Sequence, residues 1–229
     1  MLYNYVNIKK VMIIKVILVR HGETEWNKKR IFRGRVDVKL NKKGIEQAKL
    51  LSRALSNLEI RKIYSSPLAR AKDTAKVIAD SHKLKVRVNK SFIDLDYGDW
   101  QGFSEKIVKE QYPHLYQEWK MHPQGVKIPG GESLRKVRVR AVQGLKRIVS
   151  REKEGTIIIV SHRVVGKVLI CALLGLDNSS FWQIKLDTAA FSIFDYNYNN
   201  FVLTLHNQTH HLERKWEERC RKSEREKDF

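Results

Sequence analysis

The segment Thr156–Val160 (TIIIV) constrains this chain more than any other. A run of β-branched residues with no polar position to turn toward water describes a short strand buried on both faces. Such a strand needs helices above and below it, and the flanking sequence supplies them. Val164–Leu174 reads as an apolar helix that stops at Gly175. Lys15–Val19 (KVILV) is a second buried strand, and Arg61–Tyr64 (RKIY) and Lys85–Val88 read as further strands. Lys43–Leu58 places Ile45, Ala48, Leu51, Leu55 and Leu58 at helical spacing. Ser66 reads as the N-cap, and Pro67 as the first residue, of a helix running to about His82 with Ala71, Ala75, Ile78 and Ala79 on one face. Ser133–Ser150 is helical through Leu134, Val137, Ala141, Leu145 and Ile148, and Ala190–Tyr196 pairs with Phe201–His206 across an Asn-rich turn. Alternation of strands and helices predicts an α/β fold: a three-layer sandwich with a mostly parallel central sheet flanked by helices.

The 229 residues show no internal repeat and no linker, so 1–229 reads as one domain. Residues 1–11 read as an extension, because Met12 stands just before the first strand. The block Gly98–Gly131, with Trp100, Phe103, Tyr112, Tyr116 and Trp119, reads as short helices over the end of the sheet, a lid-like insertion over 102–130. Residues 208–229 read as a charged helical tail carrying the favourable pairs Glu217–Arg221 and Glu218–Lys222. His206, His210 and His211 read as exposed histidines there, without the carboxylate or cysteine spacing of a metal site. Two cysteines, Cys171 and Cys220, exclude a disulfide scaffold and suit a reducing cytoplasm. The longest apolar run near the N-terminus, Val11–Val19, is broken by Lys15 and falls far short of the roughly 20 residues of a membrane span. Lys and Arg number 45 against 25 Asp and Glu, a formal charge of +20, which suits phosphorylated metabolites, nucleic acid or an anionic membrane surface, or simply keeps the protein soluble.

Three strands end in polar sets able to hold a phosphoryl group: Arg20-His21-Gly22-Glu23-Thr24, Ser65-Ser66-Pro67 with Arg70 one helical turn on, and Ser161-His162. Parallel strands deliver all three sets to one edge of the sheet, where open α/β sheets bind ligands. Guanidinium groups match a phosphoryl group with planar N–H forks, and a helix N-terminus at Arg70 favours an anion. A neutral imidazole attacks phosphorus, and a carboxyl group must then protonate the leaving oxygen. Asp94, Asp96 and Asp99 stand in one short segment and could provide it. Arg33 and Arg35 read equally well as substrate-steering residues or as a solvated loop.

Arg20-His21-Gly22-Glu23-Thr24-Glu25-Trp26-Asn27 resembles the RHGxTxWN signature of the histidine phosphatase superfamily, the phosphoglycerate mutase-like family. Asp37, Leu40 and Gly44-Ile45-Glu46-Gln47-Ala48, then Ser65 to Ala71 with Thr74-Ala75, Tyr97 to Gly102, Gly130 to Ser133, and Ser161-His162 resemble further family segments in the same order. The resemblance implies that His21 is the nucleophile that becomes phosphohistidine. It implies that Arg20, Arg70 and His162 form the phosphate pocket with Asn27 as auxiliary donor, and that Asp94 takes the place of the family's glutamate acid/base. It implies neither metal nor organic cofactor. Asp94 is one methylene shorter than glutamate, with Asp96 or Glu23 able to compensate, and Arg163 stands where the family usually has glycine. Because nearby arginines favour a carboxylate while a general acid must hold its proton, a mildly acidic rate optimum is expected.

The expected function is therefore metal-independent hydrolysis of a phosphomonoester of a small metabolite. The alternative within the resemblance is a phosphoglycerate mutase; the region Gly102–Pro129 has scattered lysines but no arginine pair for the carboxylate of phosphoglycerate. A more distant alternative is a non-catalytic, basic nucleic-acid-binding protein, for which no helix-turn-helix, zinc finger or RNA-binding signature is present. The preferred reading expects no nucleic-acid or membrane partner, a cytoplasmic location and a possible homodimer.

Overall fold

A computed structural model describes residues 13–152 and 154–213. The expected extension, residues 1–11, and most of the expected tail, residues 214–229, lie outside the described residues.

A six-stranded sheet runs through the centre in the order β3-β2-β4-β1-β5-β6. Strands β1 (Ile14–Arg20), β2 (Ile60–Ser65), β3 (Val86–Val88) and β4 (Gly155–Ser161) are mutually parallel, while β5 (Phe191–Asn197) and β6 (Asn200–Gln208) add an antiparallel hairpin beside β1. The hairpin turns through Tyr198 and Asn199, both at positive φ (42° and 64°), the geometry of a tight turn that follows the strand twist. The central strands are covered on both faces, as their composition requires. Val16 and Leu18 of β1 join Ile157 and Ile159 of β4 in one core, while Ile17, Val19, Ile158 and Val160 join the other.

Helices α2 (Lys42–Leu55) and α3 (Ala69–Ser81) cover one face, while α6 (Leu134–Val149) and α7 (Arg163–Leu173) cover the other. The short helices α1 (Glu25–Lys28), α4 (Glu105–Gln111) and α5 (Pro113–Met121) lie in the connections. Helix α2 ends at Leu55, before the expected Leu58; Leu58 still packs against the core. The expected start of α3 is corrected. Leu68 is the capping position, and the cap bond comes from a distant loop, where Asp37 accepts the Ala69 backbone N–H at 2.6 Å. Ser66 Oγ still accepts the Leu68 backbone N–H at 3.3 Å, with room for a second donor.

The aromatic block belongs to the core beneath the α6–α7 face. Trp100 is fully buried, with the rings of Phe32, Tyr112, Tyr116 and Trp119 around it. Trp119 continues the stack to Phe181 and Trp182, and the Trp182 indole N–H donates to the Trp119 carbonyl at 2.7 Å. The insertion is thus tied to the turn Asn178–Gln183 that follows α7. His211 also departs from expectation: it is buried beside Phe191, its Nε2 3.2 Å from the Ala189 carbonyl, and burial pushes its pKa down to about 4.

Candidate active site

Strand register brings the polar sets together. Arg20 of β1 lies opposite Ser161 of β4, and Ser65 of β2 lies opposite Val160, so three parallel strands end nearly level. His21 follows at once, its backbone N–H donating to the Ser161 carbonyl at 3.0 Å. The chain turns sharply here because α2 begins hard against it. A Cβ on Gly22 would lie 2.4 Å from the Gly44 carbonyl oxygen, so glycine alone allows this approach.

His21 is completely buried. Its Nδ1 lies 2.6 Å from its neighbour's carbonyl, Gly22 O, which fixes the ring proton on Nδ1 and leaves the Nε2 lone pair unprotonated. That Nε2 has no hydrogen-bond partner. Burial first, then the charges of Arg70, His162, Arg20 and Arg33, hold the pKa well below the ordinary histidine value, so the imidazole is neutral at pH 7.

His162 meets His21 edge to face, with ring centroids 5.2 Å apart. Arg70 Nε donates to His162 Nδ1 at 3.2 Å, which puts the His162 ring proton on Nε2, and this N–H donates to Ser66 Oγ at 2.7 Å. Burial and the surrounding arginines depress this pKa as well. The second histidine is therefore a neutral donor, and Ser66, read from sequence as a helix cap, is its acceptor.

Arg70 is fully buried and fully committed. Besides His162, its fork donates to the Val36 carbonyl (2.9 Å), the Gly34 carbonyl (2.8 Å) and Asp94 Oδ2 (3.1 Å). Asp94 Oδ2 also lies 3.6 Å from His162 Nδ1, so this carboxylate belongs to the same cluster. Asp96 does not. It accepts the Gly98 backbone N–H at 3.0 Å and pairs with Arg35 at 3.3 Å, bracing a turn. Glu132 is likewise a strut, gripping Arg140 through both oxygens and pairing with Arg35.

Arg20 donates to the Leu186 carbonyl at 2.6 Å, while its Nε has no partner. It lines a cleft of about 520 Å³ with Asn27, Arg30, Arg33, Tyr97, Lys120, Arg163 and Trp182 among the walls. Asn27 closes a capping box with Thr24, its Oδ1 accepting from the Thr24 backbone, and it faces the cleft at the same time. Glu23 is at the cleft too. Burial raises its pKa, but hydrogen bonds from Asn41 and Lys43 outweigh this and hold it below the ordinary value. Arg33, set aside by the sequence reading, lines the cleft with a buried, unpartnered Nε, and burial lowers its pKa to about 10. The motif spacing carries no signal for it, since Arg33 sits among Lys28, Lys29, Arg30 and Arg35 without a period.

A neutral, unpartnered imidazole set among guanidinium groups at the carboxyl edge of a parallel sheet defines an α/β site built to receive an anion and present a nitrogen nucleophile to it. The chain belongs to the histidine phosphatase superfamily, branch 1, whose family model matches residues 16–209. It is 38% identical over 200 residues to phosphoserine phosphatase 1 of Hydrogenobacter thermophilus, covering 87% of this chain and 95% of that one. It is 26% identical over 184 residues to the adenosylcobalamin/alpha-ribazole phosphatase of Escherichia coli, covering 80% and 91%. Among solved structures, a Bacillus stearothermophilus protein, YhfR, superposes with a TM-score of 0.84 at 26% identity over 87% of this chain and all of that one. A mutant phosphoserine phosphatase of Entamoeba histolytica bound to phosphoserine gives 0.79 at 29% identity, covering 87% and 100%. No helix among the described residues is long and apolar enough to cross a membrane.

Proposed function

We propose that the protein hydrolyses a phosphomonoester of a small metabolite in two displacements at His21. The observation that carries this reading is the His21 Nε2: buried, deprotonated and without a partner, beside a neutral His162 and the unpartnered Arg20 Nε. In the first displacement Nε2 attacks phosphorus and the ester P–O bond breaks. The leaving oxygen takes a proton from a carboxyl group, and phosphohistidine remains. In the second, water attacks phosphorus as the P–N bond breaks, its proton passing to the same carboxylate, and phosphate leaves with His21 restored.

Asp94 takes the acid/base role because it alone of the candidate carboxylates lies in the histidine–arginine cluster. Asp96 is spent on a turn, and Glu23 is held ionised. Arg20, Arg70, His162 and Asn27 bind the phosphoryl oxygens. An arriving phosphoryl group replaces the carbonyl acceptors now held by Arg70 and the Ser66 hydroxyl now held by His162.

The layered unit over 13–213 acts as one domain in this reading, with 102–130 as an insertion at the cleft. The small cysteine complement, with Cys171 buried and free, supports a reducing, cytoplasmic setting. Among the described residues, the edge strands β3 and β6 are paired on one side only, and a second copy would add at such an edge if the protein dimerises.

Turnover of an aryl phosphate in EDTA, wild type against His21→Ala, tests the proposal. Activity in EDTA lost at least a thousandfold in the variant, with an acid-labile phosphohistidine trapped on the wild type, is expected. Equal turnover by both proteins refutes it.

A further inference from the structure

Three cations crowd one indole at the outer wall of the cleft. Lys120 Nζ lies 4.2 Å from the Trp182 ring centroid, Lys167 Nζ 4.7 Å, and the Arg163 guanidinium carbon 6.0 Å. Lys167 also lies 4.9 Å from the Phe181 ring. Among the described residues none of the three is ion-paired.

Ring faces attract a cation, but they neutralise no charge. The group therefore repels itself and repels the cations around His21. Lys167 is buried, and burial together with Arg163, Arg20 and Lys120 presses its pKa down to about 7. Burial, Arg163 and Arg33 in turn lower that of Arg20 to about 9. Like charges held together in a cleft whose acids form no ion pair with them are costly, and an anion relieves that cost. In the phosphatase reading the phosphoryl group is held by His21, His162, Arg70 and Arg20, so the second cluster needs an anion of its own.

Two features put the second cluster in the substrate's path. Lys120, Arg163 and Trp182 line the same cleft as Arg20 and Arg33. Arg163 also opens α7 directly after His162, so the residue that brings the positive charge is fixed to the nucleophile's neighbour. At this position the family signature resembled by the sequence has glycine, and the charge is an addition in this chain.

We propose that Arg163, Lys120 and Lys167 form a second anion subsite around Trp182, and that the substrate is a phosphomonoester carrying a further anionic group, a carboxylate or a second phosphate, away from its scissile ester. The proposal rests on the phosphatase reading above and specifies its substrate class. Arg163 is then a specificity-determining residue, with no part in the bond-breaking step.

The test compares kcat/KM for phosphoserine, 3-phosphoglycerate and a sugar bisphosphate with that for glycerol 2-phosphate and phosphoethanolamine, in the wild type, Arg163→Gly and Lys167→Met. The wild type is expected to favour at least one anionic class by roughly tenfold or more, the worth of one charged hydrogen bond. Preference for the carboxylates or for the bisphosphate identifies which anion fills the subsite. In Arg163→Gly the preference should shrink by about the same factor, chiefly through KM. Equal losses on neutral and anionic esters, or a wild type without preference, overturn the proposal while leaving the phosphatase reading intact. Calorimetric titration with 4-phosphonobutyrate and butylphosphonate separates the two readings. Tighter binding of the carboxylate-bearing phosphonate, lost in Arg163→Gly, supports the subsite even if no ester is hydrolysed, and equal binding of the two counts against it.

Discussion

At His21 the decisive quantity is the cost of charging a ring with no access to water. Burial is the largest contribution, and the arginines add to it. The ring therefore stays unprotonated well below pH 6.5, the pH at which an exposed histidine is half protonated. The rate should accordingly hold as pH falls from 7 toward 5.5. A kcat/KM that falls about tenfold per pH unit below 6.5 overturns the neutral, buried ring. Asp94→Asn is expected to lower kcat on an alkyl phosphate by roughly 10²–10⁴ and much less on an aryl phosphate, whose leaving group needs no proton. Asp96→Asn, touching only Gly98 and Arg35, should leave both substrates within a few-fold of wild type. The sequence could name Asp94 and Asp96 together but could not choose between them. Two residues of separation send one side chain under Arg70 and the other to a turn, and that choice belongs to the backbone.

Among the elements, the α3 start shows where local reading stops. Ser-Pro before a helix is a sound capping pattern, yet Asp37, thirty-two residues earlier, accepts the Ala69 N–H. The same loop offers its Gly34 and Val36 carbonyls to Arg70. Helix and loop thus hold each other, and Ser66 has room to accept from His162 as well. Asp37→Ala should cost about 0.5–2 kcal/mol of stability in a urea titration. It should also raise KM, because the loop that carries Arg33 loses its anchor. Unchanged stability with unchanged KM would show the contact to be dispensable. Strands β1 and β4, by contrast, were readable to within a residue at each end, because double burial leaves no choice of composition.

Over the whole molecule, burial of neutral histidines makes stability depend on pH. His21 and His162 have folded pKa values well below 6.5, and His211 one of about 4. Above about pH 6.5 neither folded nor unfolded chains bind these protons, and the full stability is present. As pH falls through 6.5 the unfolded chain takes them up while the folded one does not, so stability drains away down to the folded values. The melting temperature should fall steadily between pH 7 and pH 5, and a melting temperature constant over that window refutes the assignment of neutral buried rings. The +20 charge acquires a partial address on the same scale: five cations, Arg20, Arg30, Arg33, Lys120 and Arg163, line the cleft against three acids, Glu23, Glu105 and Asp187. Composition and periodicity alone determined the layered α/β class, the doubly buried strands and the histidine–arginine set at their ends, because these follow from what each segment can bury and which residues end it. Which carboxylate joins the histidines, what caps α3, that His211 is buried, and that Arg33 and the Trp182 cations share one cleft were decided only by the tertiary structure. Those are contacts between segments far apart in the chain, and no local pattern encodes the distance that folding closes.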